Sequence, residues 1–188
     1  LLDSSEGRYS LIPLVMVQTG NWVTPSFAEG MPYLAKPPLS FWLTAVSLNL
    51  FGASEFAARL PELLLTIASS LLVFAMSLTR GRGFALVATA MFASMGYVFF
   101  LAGTVVPDVA FACSLALAMV GFWKAVMEGS RAWGYGFFAG VAASLLIKGP
   151  VGPVLLGLPL VAFATWQGVW RAVWTRLPWI VGTFLVAA

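Results

Sequence analysis

Asp108 stands alone between two apolar runs: Phe84 to Val106 precedes it without a charge, and Val109 to Trp123 follows without one. Runs of this kind constrain the fold severely. In hydrocarbon every backbone polar group must be satisfied within the protein, which only helices and closed barrels achieve. A carboxylate beside bilayer hydrocarbon costs about 2.5–3.5 kcal/mol on insertion-based scales, so a functional role is the default expectation for an acid there. The rest of the chain agrees: 61% of its residues are hydrophobic and 9% charged, where soluble domains carry about 25% charged residues. The chain reads as an all-α polytopic membrane protein.

Several function classes drop out. The formal net charge of +3, with no basic block or aromatic-basic stripe, gives nucleic acid no footprint. His is absent and Cys113 is the single cysteine, which excludes disulfide frameworks and His/Cys metal sites within this segment. Cys113 lies in an apolar run and reads as a packed thiol. Leu1-Leu2 lead straight into Asp3-Ser4-Ser5-Glu6 without a signal-peptide pattern, no Met opens the chain, and an apolar run continues to Ala188. A piece of a longer membrane protein is expected, with a span before Leu1 and several after Ala188.

Residues 1 to 36 are the most polar region. Ser5 to Gln18 predicts an amphipathic helix at the interface despite Pro13, and Gly20-Asn21-Trp22 predicts a turn carrying an interfacial Trp. Pro38 to Phe51 is apolar but short. At ~1.5 Å per residue it covers roughly 21 Å of a hydrocarbon core of about 30 Å, so an interfacial or re-entrant helix is expected. Five spans follow with a sixth begun: Leu60–Leu78, Phe84–Gly103, Val109–Met127, Trp133–Ile147 and Val151–Trp166, then Leu177 onward. The expected organisation is a loop region of interfacial helices over residues 1–59 and a transmembrane bundle over 60–188.

Three connections concentrate Lys and Arg: Arg80 with Arg82, Lys124 to Arg131, and Arg171 to Arg176. The positive-inside rule makes them cytoplasmic. Residues 1 to 36, Asp108 and Lys148 then share the outer side, provided that Pro38–Phe51 does not span.

On that outer side stand Asp3, Glu6, Arg8, Lys36, Asp108 and Lys148. Each has a bland reading. Glu6 and Arg8 suit a solvated interfacial helix, and Lys36 before Pro37-Pro38 can snorkel to headgroups. Asp108 suits an N-cap for a helix starting near Val109. Lys148 is harder to dismiss, because it interrupts an otherwise uncharged stretch at a Lys-Gly-Pro helix boundary. Together, cations that neutralise a phosphate and carboxylates that accept a proton or steady an oxocarbenium-like centre suit chemistry on a lipid-linked phosphate at the membrane surface. Glu55 and Arg59 have i,i+4 spacing, with Glu62 about two turns from Glu55, and are expected to pair structurally. Trp22, Trp42, Trp166 and Trp179 read as interface anchors.

Taken in order, Ser5-Glu6-Gly7-Arg8-Tyr9, Gly20-Asn21-Trp22-Val23-Thr24-Pro25, Tyr33-Leu34-Ala35-Lys36-Pro37-Pro38, Leu50-Phe51-Gly52 with Glu55 and Arg59, Pro107-Asp108 and Ile147-Lys148-Gly149 resemble the N-terminal part of bacterial membrane glycosyltransferases of the GT-C fold. That family includes the lipid A aminoarabinose transferases and is related to protein O-mannosyltransferases. The resemblance implies a GT-C-like helix bundle whose first outer loop is built from interfacial helices. It implies sugar transfer from a polyprenyl phosphate to a glycolipid or protein acceptor on the outer face of a bacterial inner membrane, without a nucleotide. Arg8, Lys36 and Lys148 would hold the donor phosphate. Glu6 or Asp3 would act as base or electrostatic stabiliser, Asp108 would orient the acceptor or Arg8, and Tyr9 and Tyr33 would serve the acceptor or the structure. The chain departs from the family pattern twice. Ser5 holds the position of the first acid, with Asp3 two residues earlier. Ala35 stands where aminoarabinose transferases have a Glu implicated in metal binding, so no metal site is carried over. Two other classes fit the same charges: a transporter or lipid flippase with Asp108 and Lys148 lining the path, and a non-catalytic membrane subunit.

Overall fold

The computed structural model describes residues 4–28 and 31–187. Asp3 therefore lies outside the described residues. The first layer is short elements. Helix α1 (Ser4–Thr19) ends at Gly20, whose φ of +69° reverses the chain. The Asn21 side chain then accepts hydrogen bonds from the backbone N–H groups of Val23 (3.2 Å) and Thr24 (3.1 Å), which fixes the expected turn. A small antiparallel hairpin follows, β1 (Ser26–Ala28) with β2 (Met31–Pro32). Helix α2 (Leu39–Phe51) has 13 residues and stops at Gly52, too short to cross a bilayer, as the sequence indicates.

Helix α1 differs from the amphipathic surface helix expected of it. Its inward face carries Ile12 and Met16, both fully buried, together with Glu6 at 3% exposure, while Leu11 is exposed. Ile12, Met16, Phe41 and Ala45 form a core between α1 and α2, flanked by Tyr9, Trp22, Phe27, Tyr33 and Trp42. Trp42 donates its indole N–H to the Trp22 carbonyl at 2.6 Å, so these two aromatics fasten the layer to itself.

The second layer is the bundle. Helix α3 (Glu55–Ser77) is capped by Ser54, whose hydroxyl accepts from the Ala57 N–H. With its terminal tight turn it runs Glu55–Arg80, 26 apolar-rich residues, longer than a ~30 Å hydrocarbon core requires. The next expected span is broken: α4 (Arg82–Ala93) and α5 (Gly96–Ala102) meet at 68°, because Met95 between them is extended. Helix α6 (Pro107–Val126) has the length and composition of a full span, and α7 (Arg131–Lys148) returns alongside it. Helix α8 (Val151–Gln167) turns by 120° at Gly168 into α9 (Trp170–Arg176), placing the third basic segment on a short helix rather than in a loop, and α10 (Trp179–Ala187) follows.

Helices α6 and α7 approach unusually closely. A Cβ at Gly121 would fall 2.5 Å from the Phe137 backbone nitrogen, and one at Gly140 would fall 2.6 Å from the Ala118 nitrogen and the Ser114 oxygen. Small residues permit such contact where no hydrophobic driving force exists between helices in lipid. Across the far end, Arg176 donates to the Val126 carbonyl at 2.6 Å, so two of the basic connections lie at one end of the bundle. The start of α6 and the end of α7 lie at the other.

Candidate active site

Helix α6 begins with Pro107, whose fixed φ suits the first helical position. Asp108 is consequently one residue inside the helix rather than its cap. The cap position is Val106, and no side chain bonds the free N–H groups there. Asp108 still complements the helix dipole from the first turn. Lys148 occupies the last turn of the antiparallel α7, where a cation is equally favoured, and Gly149 with φ +70° ends that helix. The two side chains meet: the Lys148 ammonium donates to Asp108 Oδ1 and lies 4.7 Å from the centre of the Phe111 ring. Side-chain exposures of 47% for Asp108 and 28% for Lys148 leave the pair reachable.

A second pair forms between the interfacial elements. Lys36 donates to the Tyr9 hydroxyl and lies 4.5 Å from the centre of that ring. Tyr33 has a structural place: its ring packs edge-on against Phe27 and Phe41, at 5.1 and 5.8 Å between centres.

Glu6 makes the third connection. Its carboxylate accepts a hydrogen bond of 3.0 Å from the backbone N–H of Val105 and faces Arg59 Nε at 3.7 Å. Arg59 also meets Glu55 at 3.4 Å, the i,i+4 pair expected from spacing. Glu62 does not share that exposed face; it is 3% exposed, against 66% for the Glu55 side chain. Glu6 and Tyr9 are one helical turn apart, so α1 presents both towards the segment Val105–Asp108 that opens α6. Arg8, between them in sequence, faces outward and is exposed. The geometry thus gathers Glu6, Tyr9, Lys36, Asp108 and Lys148 around one end of the bundle and leaves Arg8 on a different face of α1. The i,i+4 spacing signals only the Glu55 partner of Arg59; the contact to Glu6 crosses between elements and has no local signal.

Ala35, at the position of the family's metal-associated acid, is exposed and offers no donor. Among the described residues no group of three His, Cys, Asp or Glu side chains converges.

The model of the dolichyl-phosphate-mannose-protein mannosyltransferase family matches residues 35–188. The chain belongs to this family. Similar proteins include undecaprenyl phosphate-alpha-4-amino-4-deoxy-L-arabinose arabinosyl transferases. That of Aeromonas hydrophila is 35% identical over 173 residues, covering 87% of this chain and 31% of the relative. That of Pseudomonas aeruginosa is 32% identical over 181 residues, covering 88% and 31%. Among solved structures, ArnT from Cupriavidus metallidurans bound to undecaprenyl phosphate superposes with a TM-score of 0.91 at 26% identity, covering 99% of this chain and 35% of that one. Its apo form gives 0.85, covering 96% and 34%. The chain therefore spans about a third of the length of these relatives, and shares with them an all-α, multi-pass membrane fold.

Proposed function

We propose that the full-length protein transfers a sugar from a polyprenyl-phosphate donor to a glycolipid or protein acceptor at the outer face of the bacterial inner membrane. The observation that carries this reading is the Lys148–Asp108 pair between helix ends, supported by Tyr9, which holds Lys36 and lines one cavity with Pro107, the residue before Asp108. Lys36 and Lys148 supply positive charge for the donor phosphate. As the bond from the sugar C1 to the phosphate oxygen breaks, they stabilise the charge that the departing polyprenyl phosphate gains. The acceptor oxygen bonds to C1 and loses its proton to a carboxylate. Asp108 suits that last step better than Glu6, since Glu6 is buried and engaged by Val105 and Arg59. Glu6 instead holds α1 against the bundle. Arg8, exposed on α1, would meet the donor only from the outer surface. The reaction as written uses protein side chains and the donor, without a nucleotide or metal cofactor.

A transporter would place its charged groups at the breaks of discontinuous helices. The breaks here, at Ser94–Met95 and Gly168–Val169, carry no charged side chain. The relatives named for sugar transfer from undecaprenyl phosphate favour the enzyme.

The test is transfer by the purified full-length protein from radiolabelled undecaprenyl-phosphate sugars to lipid A and to membrane protein fractions. Label moving to either acceptor supports the reading. Donors that stay intact with every acceptor, while a related transferase is active in the same assay, refute it.

A further inference from the structure

Glu62 is a carboxylate in the first third of span α3, 3% exposed. Its Oε2 has no hydrogen-bond partner among the described residues, and neither has the hydroxyl of Ser40, which is 6% exposed on α2. Both side chains line the same small cavity of about 10 Å³, with Tyr9, Phe41, Thr44 and the Val105–Pro107 segment completing the wall. Buried polar atoms left without a partner cost about 1–3 kcal/mol each, more for a charged group. Two of them facing one void point to a shared guest.

The volume admits one water-sized particle. A hard cation is a poor occupant, because it demands six or more oxygen ligands. Here the Thr44 hydroxyl already donates to the Ser40 carbonyl at 3.3 Å and the Tyr9 hydroxyl is held by Lys36. A water molecule, satisfied by about three hydrogen bonds, matches the wall.

We propose that Glu62 and Ser40 together bind one buried water that locks α3 to the interfacial helices α1 and α2, so that Glu62 is a positioning residue for Tyr9 and hence for Lys36. The chain of contact is short: Glu62 and Tyr9 share the cavity wall, and the Tyr9 hydroxyl receives the Lys36 ammonium. Pro107, in the same wall, precedes Asp108, so the lock sits directly behind the proposed reacting groups. The kinetic part of this inference rests on the function proposed above; the structural part does not.

The experiment uses the full-length protein and has two arms. In the first, thermal unfolding is measured for Ser40→Ala, Glu62→Leu and the double variant. A shared water predicts that the double variant loses no more stability than the weaker single one, whereas additive losses overturn the proposal. Stabilisation by added sodium or potassium that disappears in Glu62→Gln also overturns it, because the guest would then be a cation. The second arm measures transfer kinetics. Glu62→Leu should lower kcat/KM for the donor by at least about tenfold through misplacement of Lys36, with kcat falling too because Lys36 acts on the departing phosphate. Glu62→Gln, which keeps a water-binding oxygen, should restore kcat/KM. A Glu62→Leu enzyme with the wild-type kcat/KM, or a Gln variant as impaired as Leu, contradicts the positioning role. If the wild-type protein transfers no sugar, the proposed function fails and the unfolding cycle alone decides the water site.

Discussion

Glu6 on α1 accepts a hydrogen bond from the backbone N–H of Val105, 99 residues further along the chain, at 3.0 Å. The acceptor is a buried carboxylate, and Arg59 of α3 stands 3.7 Å from the same oxygen. One side chain thereby joins three elements: the interfacial helix, the first span and the segment that opens α6. Hydrogen bonds to charged groups are worth about 1.5–3 kcal/mol, so this pin is a substantial part of what holds the outer layer to the bundle.

Glu6→Ala should lower stability by about 1.5–3 kcal/mol, since it orphans the Val105 N–H and removes the carboxylate facing Arg59. Glu6→Gln keeps the acceptor oxygen and should lose less. Thermal unfolding of the detergent-purified full-length protein checks the order. Equal unfolding temperatures for wild type and Glu6→Ala would show that the contact contributes nothing.

Much of this arrangement was legible in the sequence, and what was not follows a physical rule. Apolar runs bounded by Gly, Pro and charge gave α2, α3, α6 and α7 closely, and the i,i+4 spacing of Glu55 and Arg59 gave their pair. The convergence of Lys148 and Asp108 at one end was readable from loop charge alone, because orientation in a membrane is a one-dimensional property. Three things were hidden. The break at Met95 depends on a backbone torsion in a stretch whose composition is uniformly apolar. The inward aim of Glu6 depends on a partner N–H that carries no side-chain signal. Asp108 as N-cap lost to Pro107 because proline already fixes the first helical position.

The α6–α7 contact should be intolerant of bulk. A Cβ at Gly140 would sit 2.6 Å from backbone atoms of α6, so even Gly140→Ala forces the helices apart, and Gly140→Leu more so. Overpacking of this kind costs about 1–3 kcal/mol, and it should separate Lys148 from Asp108. Gly157→Ala, where the added Cβ meets nothing within 4 Å, is the matched control. Unfolding temperature and transfer activity should both fall for Gly140→Leu and hold for the control.

The Trp42 indole bond to the Trp22 carbonyl should matter modestly. Trp42→Phe keeps an aromatic ring in the α1–α2 core but leaves that carbonyl without its 2.6 Å donor. A loss of about 0.5–1.5 kcal/mol is expected. Proteolysis of the segment between α1 and α2 should accelerate accordingly, and an unchanged cleavage rate would place the strength of the layer in its apolar core alone.

Sidedness is testable with single cysteines in a Cys113→Ala background. Arg8→Cys and Pro150→Cys, both at exposed positions, should react with an impermeant maleimide added to intact cells stripped of their outer membrane. Arg82→Cys, at the basic end of the bundle, should react only after lysis. Labelling of positions 8 and 150 from opposite sides would divide the proposed site across the bilayer.

The most direct measurement is sugar transfer by full-length Lys148→Met, assayed beside wild type with the same polyprenyl-phosphate donor. Removing the ammonium while keeping an unbranched side chain should abolish turnover, with the protein still inserted and its unfolding temperature close to wild type. Transfer at the wild-type rate by that variant would contradict the central claim that Lys148, paired with Asp108 at the helix ends, stabilises the departing phosphate.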